Sequence, residues 1–189
     1  MVQNRDNKGK KDNLELEIIL VLLREKNHLR NIARLLNESH STVMRKINHL
    51  VKENVLDYKI EGKNKVFLIK NNLQAKNYVF NAERYKFIKL LKEYPKLNIV
   101  LEDVLKSSKN KLIILFGSYA KFIAKEESDI DIYVETTEKK VKGDIENINS
   151  KINVKIGIFD KDDLLIKEII KNHVIIKGVE DFYDKIGFF

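Results

Sequence analysis

Residues 111–135 read KLIILFGSYAKFIAKEESDIDIYVE, and the C-terminal half of the fold turns on them. Lys111 to Phe116 is a short apolar run of the kind that forms a buried strand. Gly117 and Ser118 follow at once, and a helix is expected from there to about Lys125. Ser128 to Val134 then alternates strictly. On a strand, residues two apart face the same side, so Asp129 and Asp131 share one face while Ile130, Ile132 and Val134 face the core. Two carboxylates that close repel unless a positive charge lies between them. A hard cation with oxygen ligands answers that need, and Mg²⁺ keeps open positions for phosphate oxygens. Gly117 lets the backbone approach a ligand closely, and Ser118 at a helix start turns its amide and hydroxyl toward an anion. The pattern places a phosphate cradle beside a metal site.

The flanking sequence supplies a small mixed sheet for that site. Leu97, Leu101, Val104 and Leu105 mark an amphipathic helix before the first strand. Beyond Val134, a helix carrying Val141, Ile145 and Ile148 leads to a strand over Ile152 to Phe159. A helix at about 161–171, a short strand at Val174 to Ile176 and a terminal helix follow. The overall fold class is α+β. In the 152–159 strand, Val154, Ile156 and Ile158 form the core face, whereas Asn153, Lys155 and Gly157 share the opposite one. Tyr119 and Tyr133 suit either core packing or stacking on a base. The four histidines show no metal-ligand spacing, and His173 reads as a helix-end residue.

The segment LFGSYAKFIAKEESDIDIYVE, residues 115–135, resembles the polymerase-beta-like nucleotidyltransferases, specifically the minimal type of archaea and bacteria. Their signature is Gly-Ser, about ten residues, then Asp-x-Asp, met here by Gly117, Ser118, Asp129 and Asp131, with Ser128 in its usual place. The resemblance covers roughly Leu97 to Phe189. It implies that Gly117 and Ser118 hold a nucleoside triphosphate, ATP being the first expectation, while Asp129 and Asp131 are catalytic and hold Mg²⁺. The implied chemistry is in-line attack on the α-phosphorus with loss of pyrophosphate. Minimal nucleotidyltransferases often modify a partner nuclease toxin, so the resemblance also implies a toxin-type protein partner. The chain departs from the pattern in three ways. Lys121 stands where arginine is usual and lacks its bidentate fork. Phe122 stands where glycine is usual. No acid occupies the later strand that normally brings a third carboxylate, and Lys155 holds the expected position, where it could contact a phosphate instead.

The N-terminal half has a different pattern. Residues 1–12 read as a polar arm, with Asp12 and Glu15 forming a capping box. Leu16, Ile19, Leu20 and Leu23 recur at helical spacing, as do Leu29, Ile32, Ala33 and Leu36. A third helix begins near Ser39 to Ser41 and buries Val43, Ile47, Leu50 and Val51, leaving Thr42, Arg45, Lys46 and His49 opposite. Alternating stretches at Leu56–Ile60 and Lys65–Ile69 flank a polar tip, the mark of a hairpin. Residues 28–69, HLRNIARLLNESHSTVMRKINHLVKENVLDYKIEGKNKVFLI, resemble the winged helix-turn-helix domains. The resemblance implies that the third helix enters the major groove of double-stranded DNA. Ser39, His40, Ser41, Thr42, Arg45, Lys46 and His49 would then face DNA, with Lys63, Asn64 and Lys65 of the hairpin tip on its backbone or minor groove. Arg45 is suited to a guanine edge.

Residues 71–95 read as a connecting helix that Pro95 ends. Leu73, Phe80, Phe87 and Tyr94 recur every seven residues along it, which suits either packing within the chain or a homodimer seam. The expected organisation is therefore an arm at 1–12, a winged helix-turn-helix at 13–70, the connecting helix and a nucleotidyltransferase domain at 96–189. Charge follows the same division. Residues 1–100 hold 21 Lys and Arg against 11 Asp and Glu, although the whole chain is only +8. The absence of cysteine excludes disulfides, thiolate zinc sites and iron–sulfur clusters. With no apolar N-terminal run and no apolar stretch of spanning length, no membrane association and a cytoplasmic location are expected. Two functions compete: a Mg²⁺-dependent nucleotidyltransferase that binds DNA, and a transcriptional regulator whose degenerate transferase domain only senses nucleotide.

Overall fold

The computed structural model describes residues 13–109 and 112–189, so the arm at 1–12, the Asp12 cap and Lys111 lie outside the described residues. The chain divides into two compact units, one reaching Ala82 and including the terminal Phe189, the other running Glu83–Phe188.

The first unit holds α1 (Leu14–Arg24), β1 (Asn27–His28), α2 (Leu29–Leu36), α3 (His40–Lys52), β2 (Leu56–Glu61), β3 (Asn64–Ile69) and the first half of α4 (Leu73–Glu93). Its core is built from Leu14, Ile18, Ile19 and Leu22 of α1, Ile32 and Ala33 of α2, and Val43, Ile47 and Leu50 of α3. The buried stripe of α1 is therefore rotated from the expected Leu16, Ile19, Leu20 and Leu23. The helix reads LELEIILVLLR, apolar on most sides, so several stripes satisfy the spacing and tertiary packing selects one. Asn37 ends α2 in the left-handed conformation at φ 53, its N–H donating to the Ala33 and Arg34 carbonyls. Ser39 caps α3, its Oγ accepting from Thr42 N at 3.1 Å. The hairpin pairs antiparallel from Leu56↔Ile69 to Glu61↔Asn64. The two-residue β1, invisible to periodicity, adds to β3 and makes a three-stranded sheet ordered β1-β3-β2.

The second unit continues α4 and adds α5 (Leu97–Ser107), β4 (Ile113–Leu115), α6 (Gly117–Ala120), β5 (Ile130–Glu135), α7 (Lys139–Glu146), β6 (Ile152–Gly157), α8 (Leu164–Lys171), β7 (Val174–Lys177) and α9 (Val179–Ile186). Its sheet runs β6-β5-β4-β7, with β5 and β6 parallel and the other pairs antiparallel. The α+β class is as expected. Ile113, Leu115, Ile130, Ile132, Val134, Ile152 and Val154 join Leu90, Leu97, Leu101 and Val104 in one core. Phe87 and Tyr94 of the seven-residue repeat pack on that core, Phe80 is buried in the first unit and Leu73 is exposed. The helix expected from Gly117 to Lys125 is a single turn. The Lys121 and Ile123 amides bond back to Gly117 and Ser118, and the chain then leaves helical geometry at Phe122, φ 58. Among the described residues, no helix is long and apolar enough to cross a membrane.

A buried polar cluster closes the second unit. Glu83 on α4, only 1% exposed, accepts from the Tyr183 hydroxyl at 3.0 Å and lies 3.4 Å from His173 Nε2 and 3.5 Å from Lys86 Nζ. His173 follows α8, and its Nδ1 lies within 3.1 Å of the Ile169 and Ile170 carbonyl oxygens, so that nitrogen must donate. Burial opposes ionisation of Glu83, but Lys86, His173 and the hydrogen bonds outweigh it and bring its pKa down to about 2 from an ordinary 4.5. A depressed carboxyl pKa stabilises the fold above the unfolded-state value and loses that contribution as pH falls through the folded one. Stability should therefore decline from about pH 4.5 toward pH 2, and Glu83→Gln should flatten that limb in urea titrations across the acid range. Glu83→Ala, which removes the carboxylate facing His173 and Lys86, should cost about 3–5 kcal/mol in the same measurement.

Candidate functional site

β4 delivers the chain to the site and β5 supplies its carboxylates. The Phe116 amide donates to the Asp131 carbonyl at 2.9 Å, which holds the end of β4 beside the start of β5. Gly117 then turns away at φ +70, and a Cβ there would overlap Asp131 Oδ2 and come within 3.1 Å of Asp131 Cγ. Glycine is needed at this position twice over, for its backbone angle and for the space the carboxylate occupies. Asp131 is half-buried, while Asp129, one residue before β5, is exposed. Asp131 stands on the face opposite Ile130 and Ile132, as strand alternation requires. The preceding loop is closed by Ser128, whose Oγ accepts from Lys125 N at 2.9 Å and whose amide donates to the Lys125 carbonyl. Lys151 ties this loop to the entry of β6 through the Glu126 carbonyl, at 2.6 Å.

The parallel pairing of β5 and β6 decides what faces Asp131. Asp131 is in register with Asn153, and Tyr133 with Lys155. Asn153 Nδ2 donates to Asp131 Oδ1 at 2.8 Å, and the carboxylate opposite settles which end of the amide points inward. Asn153, rather than Lys155, is therefore the β6 residue that faces Asp131. Lys155 is exposed on β6 beside Tyr133, whose hydroxyl donates to the Gly157 carbonyl at 3.0 Å. Burial, then Glu135 and Asp163, push the Tyr133 phenol well up, so it remains a donor. Tyr133 is packed inside the unit, and Tyr119 meets Tyr94 edge-on at 5.0 Å.

Ser118 sits in a single helical turn, so the anion site expected from a longer helix lacks most of its macrodipole. Lys121 Nζ pairs with Glu168 of α8 at 2.8 Å, and this bond holds the Glu168 carboxyl below its ordinary range. Phe122, where the resemblance expects glycine, has a left-handed backbone at φ 58, while its ring packs against the core. Asp129 and Asp131 could hold one Mg²⁺, since that ion is commonly bound by one or two carboxylates plus substrate phosphates. They do not fit two ions. Asn153 beside Asp131 brings no charge, and among the described residues no three His, Cys, Asp or Glu side chains gather to hold a metal.

Residues 100–181 match the family model Polymerase beta, Nucleotidyltransferase. The match runs from α5 to α9 and includes the Gly117 turn, both aspartates and Asn153. Neither a curated protein nor a solved structure matches the chain. The second unit thus carries a nucleotidyltransferase-type domain.

In the first unit, α3 presents an open surface of Ser41, Met44, Arg45, Asn48, His49 and Lys52. These residues recur at helical spacing. Met44, Asn48 and Lys52 escaped the sequence reading, although continuing i+3 and i+4 steps from Ser41 and Arg45 would have found them. Lys46 and His49 reach Glu15 of α1, at 3.0 and 3.3 Å, so Lys46 is turned toward α1. Ser39 and Thr42 bond each other in the cap, and His40 is exposed at the first turn. On the hairpin, Gly62 turns at φ 60, Lys63 and Asn64 are exposed, and Lys65 Nζ lies 4.1 Å from the centre of the Tyr58 ring.

Gly117→Ala should therefore displace the Asp131 carboxylate and destabilise the second unit by about 1–3 kcal/mol. Urea unfolding measures the loss. Unchanged stability would mean that Asp131 swings clear at no cost.

Proposed function

We propose that the chain is a DNA-binding protein whose nucleotidyltransferase-type unit binds a nucleoside triphosphate, ATP first among them, together with Mg²⁺. The supporting observation is the seating of Asp131 against side-chain-free Gly117, with exposed Asp129 two residues earlier in the chain. A phosphate chain lying over Gly117 and Ser118 meets no side chain at 117 and comes directly to the two carboxylates. Bound Mg²⁺ would neutralise charge on the phosphate oxygens. Asp129 and Asp131 would hold that ion, Gly117 would admit the phosphates, and Ser118 would offer them its hydroxyl.

Binding has two possible consequences. In the first, an acceptor on a protein, RNA or small molecule takes the nucleotidyl group and pyrophosphate leaves. In the second, the unit senses nucleotide for a regulator, a reading favoured by the amide of Asn153 beside Asp131. Incubation with each labelled NTP and Mg²⁺ separates them. Mg²⁺-dependent ATP binding is expected, weakened about tenfold or more by Asp131→Ala. Label transfer that Asp131→Ala abolishes supports the first consequence, and binding without turnover supports the second. No Mg²⁺-dependent binding would sink both.

The first unit is read as a winged helix-turn-helix on DNA, supported by three helices followed by a hairpin and by the outward Arg45 and Asn48 of the third helix. Arg45 suits the O6 and N7 edge of guanine, and Asn48 suits the N6 and N7 edge of adenine. Arg45→Ala should weaken binding to a selected duplex by about 1–3 kcal/mol and relax preference at one base pair. Equal affinity for all sequences, before and after the substitution, would remove base readout.

A further inference from the structure

We infer that Asn153 sets the nucleotidyltransferase-type unit to hold one divalent cation with its nucleotide and to stop short of transfer. The inference rests on the nucleotide-and-Mg²⁺ reading above and concerns what this chain's own residue does to that site.

Three observations converge on Asn153. Its Cα is the direct partner of Asp131 in the parallel β5–β6 ladder, so its side chain stands on the carboxylate face. Its Nδ2 donates to Asp131 Oδ1 at 2.8 Å, satisfying one carboxylate oxygen with a neutral donor. The other oxygen, Oδ2, lies against Gly117, the turn proposed to admit phosphates. Asn153 is therefore a positioning residue: it occupies Asp131 Oδ1 from the β6 side and leaves Oδ2 toward the turn.

Charge then limits the cation number. Asp129 and Asp131 together carry two negative charges, enough to balance one divalent ion. A second ion would face an amide whose donor end already points at Asp131, with no further carboxylate to offset its charge. Transfer also needs a proton acceptor. As the bond from acceptor oxygen to α-phosphorus forms and the bond to the bridging oxygen breaks, pyrophosphate departs and the acceptor's proton must pass to a base. Asn153, the β6 residue that faces Asp131, is an amide and cannot take that proton.

The test uses the full chain and Mn²⁺ as a spectroscopic probe, with ATP and a non-hydrolysable ATP analogue. Electron paramagnetic resonance titration should count one Mn²⁺ per bound nucleotide in the wild type. Asn153→Asp should add a second Mn²⁺ of weaker affinity, and Asn153→Ala should remain at one. Labelled ATP should leave no label on protein or RNA acceptors with the wild type. Two ions in the wild type, an unchanged count in a folded Asn153→Asp, or wild-type label transfer would overturn the inference while leaving nucleotide binding standing. If Asn153→Asp does not fold, the wild-type ion count and label assay decide alone. Absence of any nucleotide-dependent Mn²⁺ binding defeats the underlying reading, and this one with it.

Discussion

The carboxylate of Asp131 is where three separate pieces of chain meet. Its backbone carbonyl accepts from Phe116 at the end of β4, its Oδ2 fills the space that Gly117 leaves open, and its Oδ1 accepts from Asn153 on β6. The turn after β4, the start of β5 and the start of β6 are thereby set in relation to one another. Ile130 and Ile132 on either side face the core and hold the strand from behind. A half-buried carboxylate held this way has little freedom to relax, so changes at 117, 131 or 153 should be felt at the other two.

The first unit has its own pivot in Glu15. By engaging Lys46 and His49, this α1 residue links the first and third helices on the side where α3 is not apolar. The Ser39 cap starts α3 and packing of Val43, Ile47 and Leu50 fixes its rotation. What remains outward is the stripe of Ser41, Arg45, Asn48 and Lys52. Basic residues also stand on the hairpin tip, where Lys63 is exposed and Lys65 lies over Tyr58. Such a surface suits a polyanion, whereas the second unit collects carboxylates that suit a cation.

Much of both units was legible in local pattern. The apolar run before Gly117, the alternation through Val134 and the hairpin from Leu56 to Ile69 all appear where periodicity places them. The misses have physical causes. The rotation of α1 was open because the helix is apolar on most sides. The helix after Ser118 stopped at one turn, the chain turning off at left-handed Phe122, a conformation that a bulky residue does not announce. The strand β1 has two residues and exists only because β3 offers an unpaired edge. The Glu83, His173 and Tyr183 cluster joins residues up to 100 positions apart, which no local window can see.

The sequence by itself determined that Asp129 and Asp131 stand just before and within a strand, Asp131 opposite Ile130 and Ile132, because alternation is a property of any strand. It also determined that glycine stands at the turn before them and that positive charge gathers in the first hundred residues. Only the tertiary structure decided which β6 residue confronts Asp131. Asn153 and Lys155 have the same parity, so alternation treats them alike. The register between two parallel strands is set by how their apolar sides, Ile130, Ile132 and Val134 against Ile152, Val154 and Ile156, settle in one core. That settling places an amide rather than an ammonium beside the carboxylate.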